Sequence, residues 1–457
     1  MILDDVAPTS GPRVLIAGGG IAALELLLAL RVHAGARLAI TLLSADGRLA
    51  PPAMTVAEPF ARGGAQTWDW TQITAQQDAR LVLDRLVAVD TDARIAFTHG
   101  GRRIPYDVLV VTTGARRIEP LAGALTFGLR DAATRLRALL AEMTPRHPAS
   151  IAFALPWPSS WSLPLYELAL LWAHELRERG SAAAVRLVTP EAHALELLGP
   201  AARDAVTPLL DALGVELLTS AQPRRLVTGG LRLEGGELVE ADHVVTLGDV
   251  VARPLPGLPV DCAGFLPIDL YGRVAGAADV FAAGEATSFP LRQGGLATQQ
   301  ADVVAETIAA LHADGPAPQP FAPVLRGRLT TSGAPLYLQA RPLGQSLAAT
   351  RALWSPPEKV AGRYLAPYLS TARPGRLEAA ALVERVPALA RGRDARAAVT
   401  LALNIAAMED RAHNRSRALQ AREAARALDG GAGKTGFGET RAAVAAAISA
   451  SRTPASA

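Results

Sequence analysis

Near its amino terminus the chain reads Arg13-Val-Leu-Ile-Ala-Gly18-Gly19-Gly20-Ile21-Ala22-Ala23. Residues 13–17 are mostly apolar and predict a buried strand, and residues 21–30 predict the helix that follows it. A second apolar run, residues 39–43, predicts the next strand. A strand, a glycine-rich turn and a helix in this order are typical of the β-α-β unit that binds an adenine dinucleotide.

The small residues of this motif have separate roles. Gly18 permits the tight turn, Gly20 lets the backbone approach a pyrophosphate, and Ala23 allows the helix to pack close to the strand. The helix N-terminus would then face the negative charge of the phosphates. We therefore predict that the dinucleotide contacts Gly18, Gly19, Gly20, Ile21, Ala22 and Ala23.

The position that normally holds the adenosine ribose departs from the usual pattern. An acidic residue is expected at the end of the second strand, but Ser44 stands there and Asp46 follows two residues later. A serine hydroxyl can still hydrogen-bond a ribose, although more weakly than a carboxylate. Asp46 fits better as a turn residue before Gly47. We predict Ser44 as the ribose contact.

Two segments farther along the chain complete the predicted site. Residues 106–111 form an apolar run that ends at Thr113 and Gly114, a turn that lets the chain pass close to a cofactor. Residues 280–283 form another apolar run, which ends at Gly284-Glu285. The stretch Arg292-Gln-Gly-Gly295-Leu296-Ala297 then opens a helix that runs to about Leu311, and its N-terminal amides would point at a flavin ring. Together these motifs predict FAD, with further contacts at Thr113, Gly114, Gly284, Glu285, Gly295, Leu296 and Ala297.

A second α/β unit follows, but its nucleotide turn is altered. Residues 150–156 predict its first strand and residues 165–178 its first helix. No glycine occurs between residues 150 and 179, and two tryptophans and three prolines fill the turn. Because proline lacks the N–H that a pyrophosphate would accept from, an ordinary NAD(P)H pocket is not expected. Residues 185–189 predict the next strand, and Glu191 after it is interpreted as a surface residue.

These elements predict an α/β fold with two Rossmann-like dinucleotide-binding domains, the first discontinuous, and a C-terminal α-rich region. The FAD-binding domain would span residues 10–120 and 245–315, because the strand at 244–247 is expected to return the chain to it. A degenerate NAD(P)-binding-like domain would span 148–244. A capping or interface region would span 320–376, and an Ala/Arg-rich helical tail 377–457.

Two of these segments keep more than one interpretation. The aromatic stretch 354–368 could cap a cofactor, bind a partner or simply pack. Residues 401–419 have apolar residues at helical spacing, and this helix could lie on the protein or on a membrane face. Packing on the protein is favoured.

Composition excludes several classes of function. The 457 residues carry a net charge of +3, and the arginines are scattered without a basic stripe interleaved with aromatics, so nucleic-acid binding is not expected. The single cysteine, Cys262, excludes an internal disulfide, and the histidines show no metal-ligand spacing, so no metal site is expected. The chain lacks an uncharged apolar run of about 18 residues, and its first residues lack a basic segment typical of a signal peptide. A cytoplasmic location is therefore predicted.

The motifs together resemble a known group of flavoproteins. The order of Gly18-Gly-Gly20, Thr113-Gly114 and Phe281-Ala-Ala-Gly284-Glu-Ala-Thr287 resembles the FAD-dependent pyridine nucleotide-disulfide oxidoreductase superfamily. Three further segments look like its sulfide:quinone oxidoreductase and type II NADH dehydrogenase branch, namely Thr55-Val-Ala-Glu58-Pro59-Phe60, Pro164-Leu-Tyr166-Glu167 and Arg292-Gln-Gly-Gly295. The resemblance covers roughly residues 12–370 and implies the fold and FAD.

The resemblance also assigns roles and exposes departures. It puts a carboxylate near the reactive face of the flavin at Glu167, a candidate proton shuttle whose alternative is a surface residue of the helix. Arg292 stands where the family has a lysine and would keep a positive charge near the flavin. Trp161 replaces the cysteine that sulfide-oxidising members carry before the Pro-x-Tyr-Glu element, so a persulfide relay cannot run. At the second FAD motif, where the family has Gly-Asp, this chain has Gly284-Glu285.

Three functions remain open from the sequence. The first is an FAD-dependent oxidoreductase that acts on a small-molecule redox substrate, with an unknown donor and a quinone-like acceptor as a candidate beside residues 354–368. The second is a flavin-binding or scaffold protein without catalysis, because several expected positions are altered. The third is an NAD(P)H-dependent flavin reductase with an atypical nicotinamide site around Ser159, Ser160 and Glu191.

Overall fold

The computed structural model describes residues 11–62, 66–143, 149–157, 161–315, 317–341 and 344–371. The predicted helical tail, including the helix expected at 401–419, lies outside the described residues, as do Ser159 and Ser160. Mixed helices and strands fill the described part, which contains two five-stranded parallel sheets and several smaller antiparallel sheets.

The helices are α1 (Ile21–Ala34), α2 (Trp70–Gln76), α3 (Ala132–Glu142), α4 (Leu163–Glu178), α5 (Pro200–Leu213), α6 (Gly294–His312) and α7 (Leu365–Thr371). The first strands are β1 (Arg13–Ala17), β2 (Ala39–Ser44), β3 (Arg48–Leu49), β4 (Trp68–Asp69), β5 (Arg80–Leu83), β6 (Leu86–Asp90), β7 (Ile95–Thr98), β8 (Arg103–Pro105), β9 (Val108–Val111), β10 (Arg116–Ile118) and β11 (Leu125–Phe127). The later strands are β12 (Ile151–Ala154), β13 (Val185–Val188), β14 (Val215–Leu218), β15 (Pro223–Val227), β16 (Gly230–Leu233), β17 (Leu238–Glu240), β18 (His243–Leu247), β19 (Asp249–Val251), β20 (Val280–Ala282), β21 (Leu325–Leu329), β22 (Leu336–Ala340) and β23 (Ser346–Ala349).

The first sheet has the strand order β20-β9-β1-β2-β5, and all of its strands are parallel. Strand β1 ends at Ala17 and α1 begins at Ile21, so the predicted β-α-β unit is confirmed. Helices α1 and α6 share one apolar core on one face of this sheet. Because β20 and α6 come from a later part of the chain, the predicted discontinuous first Rossmann-like unit is confirmed as well.

The second sheet has the strand order β11-β18-β12-β13-β14, again with parallel neighbours. The expected return of the chain at 244–247 is wrong, because β18 pairs with β11 and β12 inside this second sheet. Val244 and Val245 are buried there, and an apolar strand of this kind fits either sheet equally well from sequence. The boundary predicted at residue 245 therefore falls within a strand, and the chain leaves the sheet through the antiparallel pair β10–β19.

A third sheet, with the order β21-β22-β23, is antiparallel and packs beside the second unit. Leu329 and Leu338 of this sheet belong to the same core as Tyr166 and Trp172 of α4. Strand β21 is thereby held along α4, at the side of the second unit that faces the first. The region predicted to be a cap contains these three strands and α7.

Two classes of feature are missing from the described residues. None of the helices there is both long and apolar enough to cross a lipid bilayer. None of the His, Cys, Asp and Glu side chains within the same ranges cluster closely enough to hold a metal ion.

Candidate active site

The three glycines after β1 have different surroundings. Gly18 has a φ of +136°, and a side chain there would meet the Thr112 carbonyl oxygen at 2.2 Å. A side chain at Gly19 would meet Ser44 Oγ at 2.0 Å. A side chain at Gly20 would meet no atom within 4 Å. Gly18 and Gly19 therefore allow chain segments to approach closely, whereas Gly20 faces open space at the start of α1.

The N-terminus of α1 has no side-chain cap, since Gly20 is the N-cap residue and offers none. The first amides of the helix thus lack a side-chain acceptor at the side where Gly20 leaves room. Ala22 and Ala23 are buried beneath this turn. Open space, uncapped amides and a helix dipole are together suited to a phosphate group.

Ser44 ends β2 beside Gly19 and is buried. Its hydroxyl donates a hydrogen bond to the Asp46 carbonyl oxygen at 2.7 Å. The Trp70 indole N–H donates to the Gly19 carbonyl oxygen at 3.3 Å and closes the same corner. The Ser44 oxygen can therefore accept from a ribose hydroxyl, but its proton is already used within the turn.

The turn after β9 lies beside the segment 284–285. Gly114 has a φ of +68°, and a side chain at this position would lie 4.0 Å from Glu285 Oε2. Thr113, the preceding residue, is half-buried. Arg117 Nη2 donates to Glu285 Oε1 at 2.9 Å, so the glutamate is held in an ion pair. The predicted residues 113, 114, 284 and 285 thus meet in space.

Gly284 lies where the two long helices of the first unit converge. A side chain at Gly284 would lie 3.5 Å from the Cβ atom of Ala22 in α1 and 3.4 Å from that of Ala297 in α6. The Gly284 amide donates to Gln300 Oε1 at 2.7 Å. The N-termini of α1 and α6 are thereby brought together at the carboxyl end of β20.

At the start of α6, one backbone amide is already hydrogen-bonded by a side chain of the protein. Gln293 is the N-cap residue, and its Oε1 atom accepts from the Leu296 amide at 2.7 Å. Of the three predicted contacts at 295–297, the Leu296 amide is therefore engaged by the protein itself. Gly294 and Gly295 line a cavity in front of this N-terminus.

Arg292 is held by backbone groups. Its Nη1 atom donates to the Thr287 carbonyl oxygen at 2.5 Å and also to that of Phe289. Its guanidinium lies 4.0 Å from the centre of the Phe265 ring, a cation–π arrangement. Burial lowers the pKa of Arg292, and Glu285 opposes that shift. Arg292 thus contributes a fixed positive charge to the cavity wall.

The cavity has a volume of about 330 Å³ and is enclosed by parts of the chain that are far apart in sequence. The first unit contributes Ile21, Arg117, Glu285, Arg292, Gly294 and Gly295. The second unit contributes Trp161, Leu163 and Glu167, the third sheet contributes Arg326 and Arg328, and the segment before α7 contributes Lys359. Cavities of this size between domains commonly hold cofactors and small ligands.

Glu167 is fully buried, so the alternative that it is a surface residue of the helix is wrong, and its role as a proton shuttle stays a prediction. Its Oε1 atom accepts from Lys359 Nζ at 2.5 Å and from the Thr330 amide at 2.7 Å. Its Oε2 atom has no hydrogen-bond partner among the described residues. Lys359 is not among the site residues predicted from the sequence, although it is one of only two lysines in an arginine-rich chain and this rarity is a usable signal.

Glu191 is also buried, which corrects its interpretation as a surface residue. Its carboxylate accepts from the hydroxyls of Ser162 at 2.9 Å, Tyr166 at 2.9 Å and Thr189 at 3.0 Å. Burial raises the pKa of Glu191 despite these hydrogen bonds. The carboxylate therefore lies at the start of α4, the position at which a second dinucleotide would place its phosphates.

A larger cavity of about 550 Å³ lies elsewhere. It is lined by residues such as Arg135, Leu226, Asp242 and His243, near the amino end of β18. It shares no lining residue with the smaller cavity and includes none of the predicted site residues. The carboxyl ends of parallel strands are the usual ligand sites in such sheets, so the smaller cavity is the stronger candidate.

The chain matches no family model and no curated protein, but its fold matches solved structures. A sulfide:quinone oxidoreductase from Aquifex aeolicus aligns with a TM-score of 0.66 at 16% identity, over 74% of this chain and 87% of that one. An NAD-dependent persulfide reductase from A. fulgidus aligns with a TM-score of 0.54 at 17% identity, over 72% of this chain and 64% of that one. A ferredoxin reductase from Rhodopseudomonas palustris aligns with a TM-score of 0.54 at 19% identity, over 72% of this chain and 82% of that one.

At these identities the likeness establishes the fold. The predicted pair of Rossmann-like units, and the predicted resemblance to this group of oxidoreductases in fold, are confirmed. Activity and ligands have to be argued from the site itself.

Proposed function

We propose that the protein is an FAD-dependent oxidoreductase that acts on a small-molecule substrate and does not use redox cysteines. The observation that carries this proposal is the convergence of the N-termini of α1 and α6 at Gly284, next to a cavity between the two α/β units. Two helix N-termini at one sheet edge suit a long ligand with a phosphate part and an electron-rich ring.

The residues present fit FAD. Gly20 leaves space over the uncapped amides of α1, and Gly294 and Gly295 line the cavity in front of α6. Glu285 would accept from the ribityl hydroxyls, and Ser44 would accept from the ribose. The complete set proposed to hold the cofactor is Gly18, Gly19, Gly20, Ile21, Ala22, Ala23, Ser44, Thr113, Gly114, Gly284, Glu285, Gly295, Leu296 and Ala297.

Bound FAD would supply the electron-transfer chemistry, and the protein would supply orientation, charge and proton transfer. Glu167 is proposed as the proton-transfer residue, because its Oε2 atom is unpartnered and the residue lines the cavity. Lys359 and the Thr330 amide hold the other carboxylate oxygen and so fix the position of the group. Arg292 would add a fixed positive charge that stabilises an anionic reduced ring.

The route by which electrons enter differs from that of thiol-dependent relatives. Cys262 is exposed and lies outside the cavity, so no thiol relay is proposed. The buried Glu191 carboxylate at the start of α4 would repel the phosphates of a nicotinamide cofactor. The substrate therefore has to enter the cavity itself. A quinone is a candidate acceptor, since Lys359 and Val360 of the segment 354–368 line the wall.

A flavin-binding protein without catalysis is the competing proposal, and a spectrum separates the two. The protein is purified without added cofactor, its visible absorption is recorded, and NADH and sulfide are added separately without oxygen. Protein-bound FAD that a donor can reduce supports the oxidoreductase. Bleaching by NADH would contradict our interpretation of the second unit, and protein unable to bind FAD would contradict the proposal as a whole.

Two variants distinguish a loss of FAD binding from a loss of folding. Gly20→Val adds a side chain where no protein atom lies within 4 Å, so it should fold normally but block the phosphates. Gly235→Val adds the same bulk to a turn that also has free space. We expect flavin content to fall at least about tenfold in the first variant alone. Equal flavin content in both variants would count against this position for the cofactor.

A further inference from the structure

Strand β21 presents two arginines to the candidate active site. Arg326 and Arg328 both line the cavity, and Gly327 between them packs against the start of α4. A side chain at Gly327 would lie 2.8 Å from Leu163 Cδ2 and 3.4 Å from Trp161 Cζ2. The glycine therefore lets the strand approach α4 closely.

The cavity wall carries an excess of positive charge. Its five cationic side chains face three carboxylates, namely Arg117, Arg292, Arg326, Arg328 and Lys359 against Glu167, Asp249 and Glu285. Glu285 is paired with Arg117, and Glu167 is paired with Lys359. The wall therefore carries two more cationic than anionic side chains.

The surroundings of Arg328 provide independent evidence for a bound anion. Its Nε atom is buried and has no hydrogen-bond partner among the described residues. Leaving a buried charged donor without an acceptor is costly, and such groups in native proteins usually have a ligand, a water or an ion as partner. The planar guanidinium fork matches a carboxylate, which it can bind through two parallel hydrogen bonds.

We infer that the substrate entering this cavity is a small organic carboxylate, bound by Arg328 with Arg326 beside it. This inference rests on the proposed oxidoreductase function, because it names the substrate class of that same site. A neutral group placed against Arg328 would leave this partly buried guanidinium without a counter-charge. Arg328 acts in binding and recognition, while Glu167 remains the proton-transfer group.

Benzoate and benzamide provide a matched pair of probes, since they have nearly the same shape and differ in charge. Each is titrated into the purified protein with its flavin, and binding is followed both by the visible flavin spectrum and by calorimetry. Benzoate should bind saturably and at least about tenfold more tightly than benzamide. Equal affinities, or tighter binding of benzamide, would overturn the inference.

Arg328→Gln removes the fork, and Arg224→Gln removes the same charge from an exposed ion pair with Glu234 on β15. Arg328→Gln should weaken benzoate binding at least about tenfold with unchanged flavin content, whereas Arg224→Gln should leave it unchanged. Loss of flavin from Arg328→Gln would show that the arginine holds the cofactor and would overturn the inference. If Arg328→Gln fails to fold, Arg326→Gln serves in its place with the same expectations.

Calorimetry together with the flavin content distinguishes failure of the oxidoreductase proposal from failure of the carboxylate inference. If the protein carries no flavin, the oxidoreductase proposal fails, but selective and Arg328-dependent binding of benzoate would still support an anion site. If the protein carries flavin yet binds neither probe, the carboxylate inference fails and the oxidoreductase proposal stands.

Discussion

The Nζ atom of Lys359 lies 2.5 Å from Oε1 of Glu167 and ties α4 to the segment before α7. The glutamate is fully buried and the lysine side chain is 14% exposed. Both line the cavity of the candidate active site. The pair therefore fixes the relative position of two chain segments at the point where we propose that chemistry occurs.

Lys359→Met should destabilise the fold by about 3–5 kcal/mol, because it leaves a buried carboxylate without its counter-charge. The double variant Glu167→Gln with Lys359→Met should recover much of this loss, since no buried charge then remains. Denaturant unfolding of the wild type, both single variants and the double variant gives the coupling energy. Additive losses would mean that the two side chains do not stabilise each other.

Glu191→Ala should also be destabilising, by about 1–3 kcal/mol or more, because three buried hydroxyls lose their acceptor. Glu191→Gln should cost less, since the amide oxygen can still accept from Ser162 or Tyr166. Thermal or denaturant unfolding measures both variants. Glu178→Ala, at the exposed end of α4, is the control and should change stability little. An equally small loss in Glu191→Ala would argue against the hydroxyl network.

Glu285→Ala should weaken FAD binding by about tenfold, because loss of a carboxylate acceptor for a ribityl hydroxyl is worth about 1.5 kcal/mol or more. Glu285→Asp should retain most of the affinity, since a carboxylate stays near Arg117. Fluorescence titration of the apoprotein with FAD gives both affinities. Glu234→Ala breaks an exposed ion pair far from the cavity wall and should not change them. Equal affinities in all three variants would remove Glu285 from the cofactor site.

The parts of this molecule that sequence predicts are those determined by local backbone chemistry. The positive φ of Gly18 and the open space at Gly20 follow from the need for a tight turn before a helix, and glycine alone signals it. The strand β1 and the helix α6 follow from apolar periodicity within short windows. These signals need no knowledge of distant residues.

The parts that sequence misses depend on contacts between distant residues. Glu191 follows a strand and looks like a surface residue, but in the fold its carboxylate is buried against the hydroxyls of Ser162 and Tyr166 at the start of α4. Lys359 is 192 positions away from Glu167, so no spacing rule connects the two. Strand β18 is an apolar run that suits either sheet, and its placement follows from pairing with β11 and β12.

Two further carboxyl groups, Glu25 of α1 and Asp302 of α6, lie close together near the segment before α7. Glu25 of α1 accepts from the amides of Tyr364 at 2.8 Å and Leu365 at 2.5 Å. Burial raises the pKa of Glu25, and burial together with Glu25 raises the pKa of Asp302 well above its usual range. The charged and titratable groups around the pair are Arg363, Glu306, Tyr364 and His33. Arg363 opposes the rise at Asp302 but is itself bonded to Glu306.

Because folding raises the pKa of Asp302, its protonated form is favoured in the native state, and raising the pH favours the unfolded chain, which releases the proton. The free energy of unfolding should therefore fall as the pH rises above about 4, the ordinary pKa of an aspartate, by up to about 1.4 kcal/mol per pH unit for one proton, until the pH reaches the raised native pKa. Asp302→Asn mimics the protonated acid and should flatten this dependence, whereas Asp204→Asn, at an exposed position on α5, should leave it unchanged. Denaturant unfolding across this range measures the slopes, and a slope that persists in Asp302→Asn would assign the pH dependence to another group.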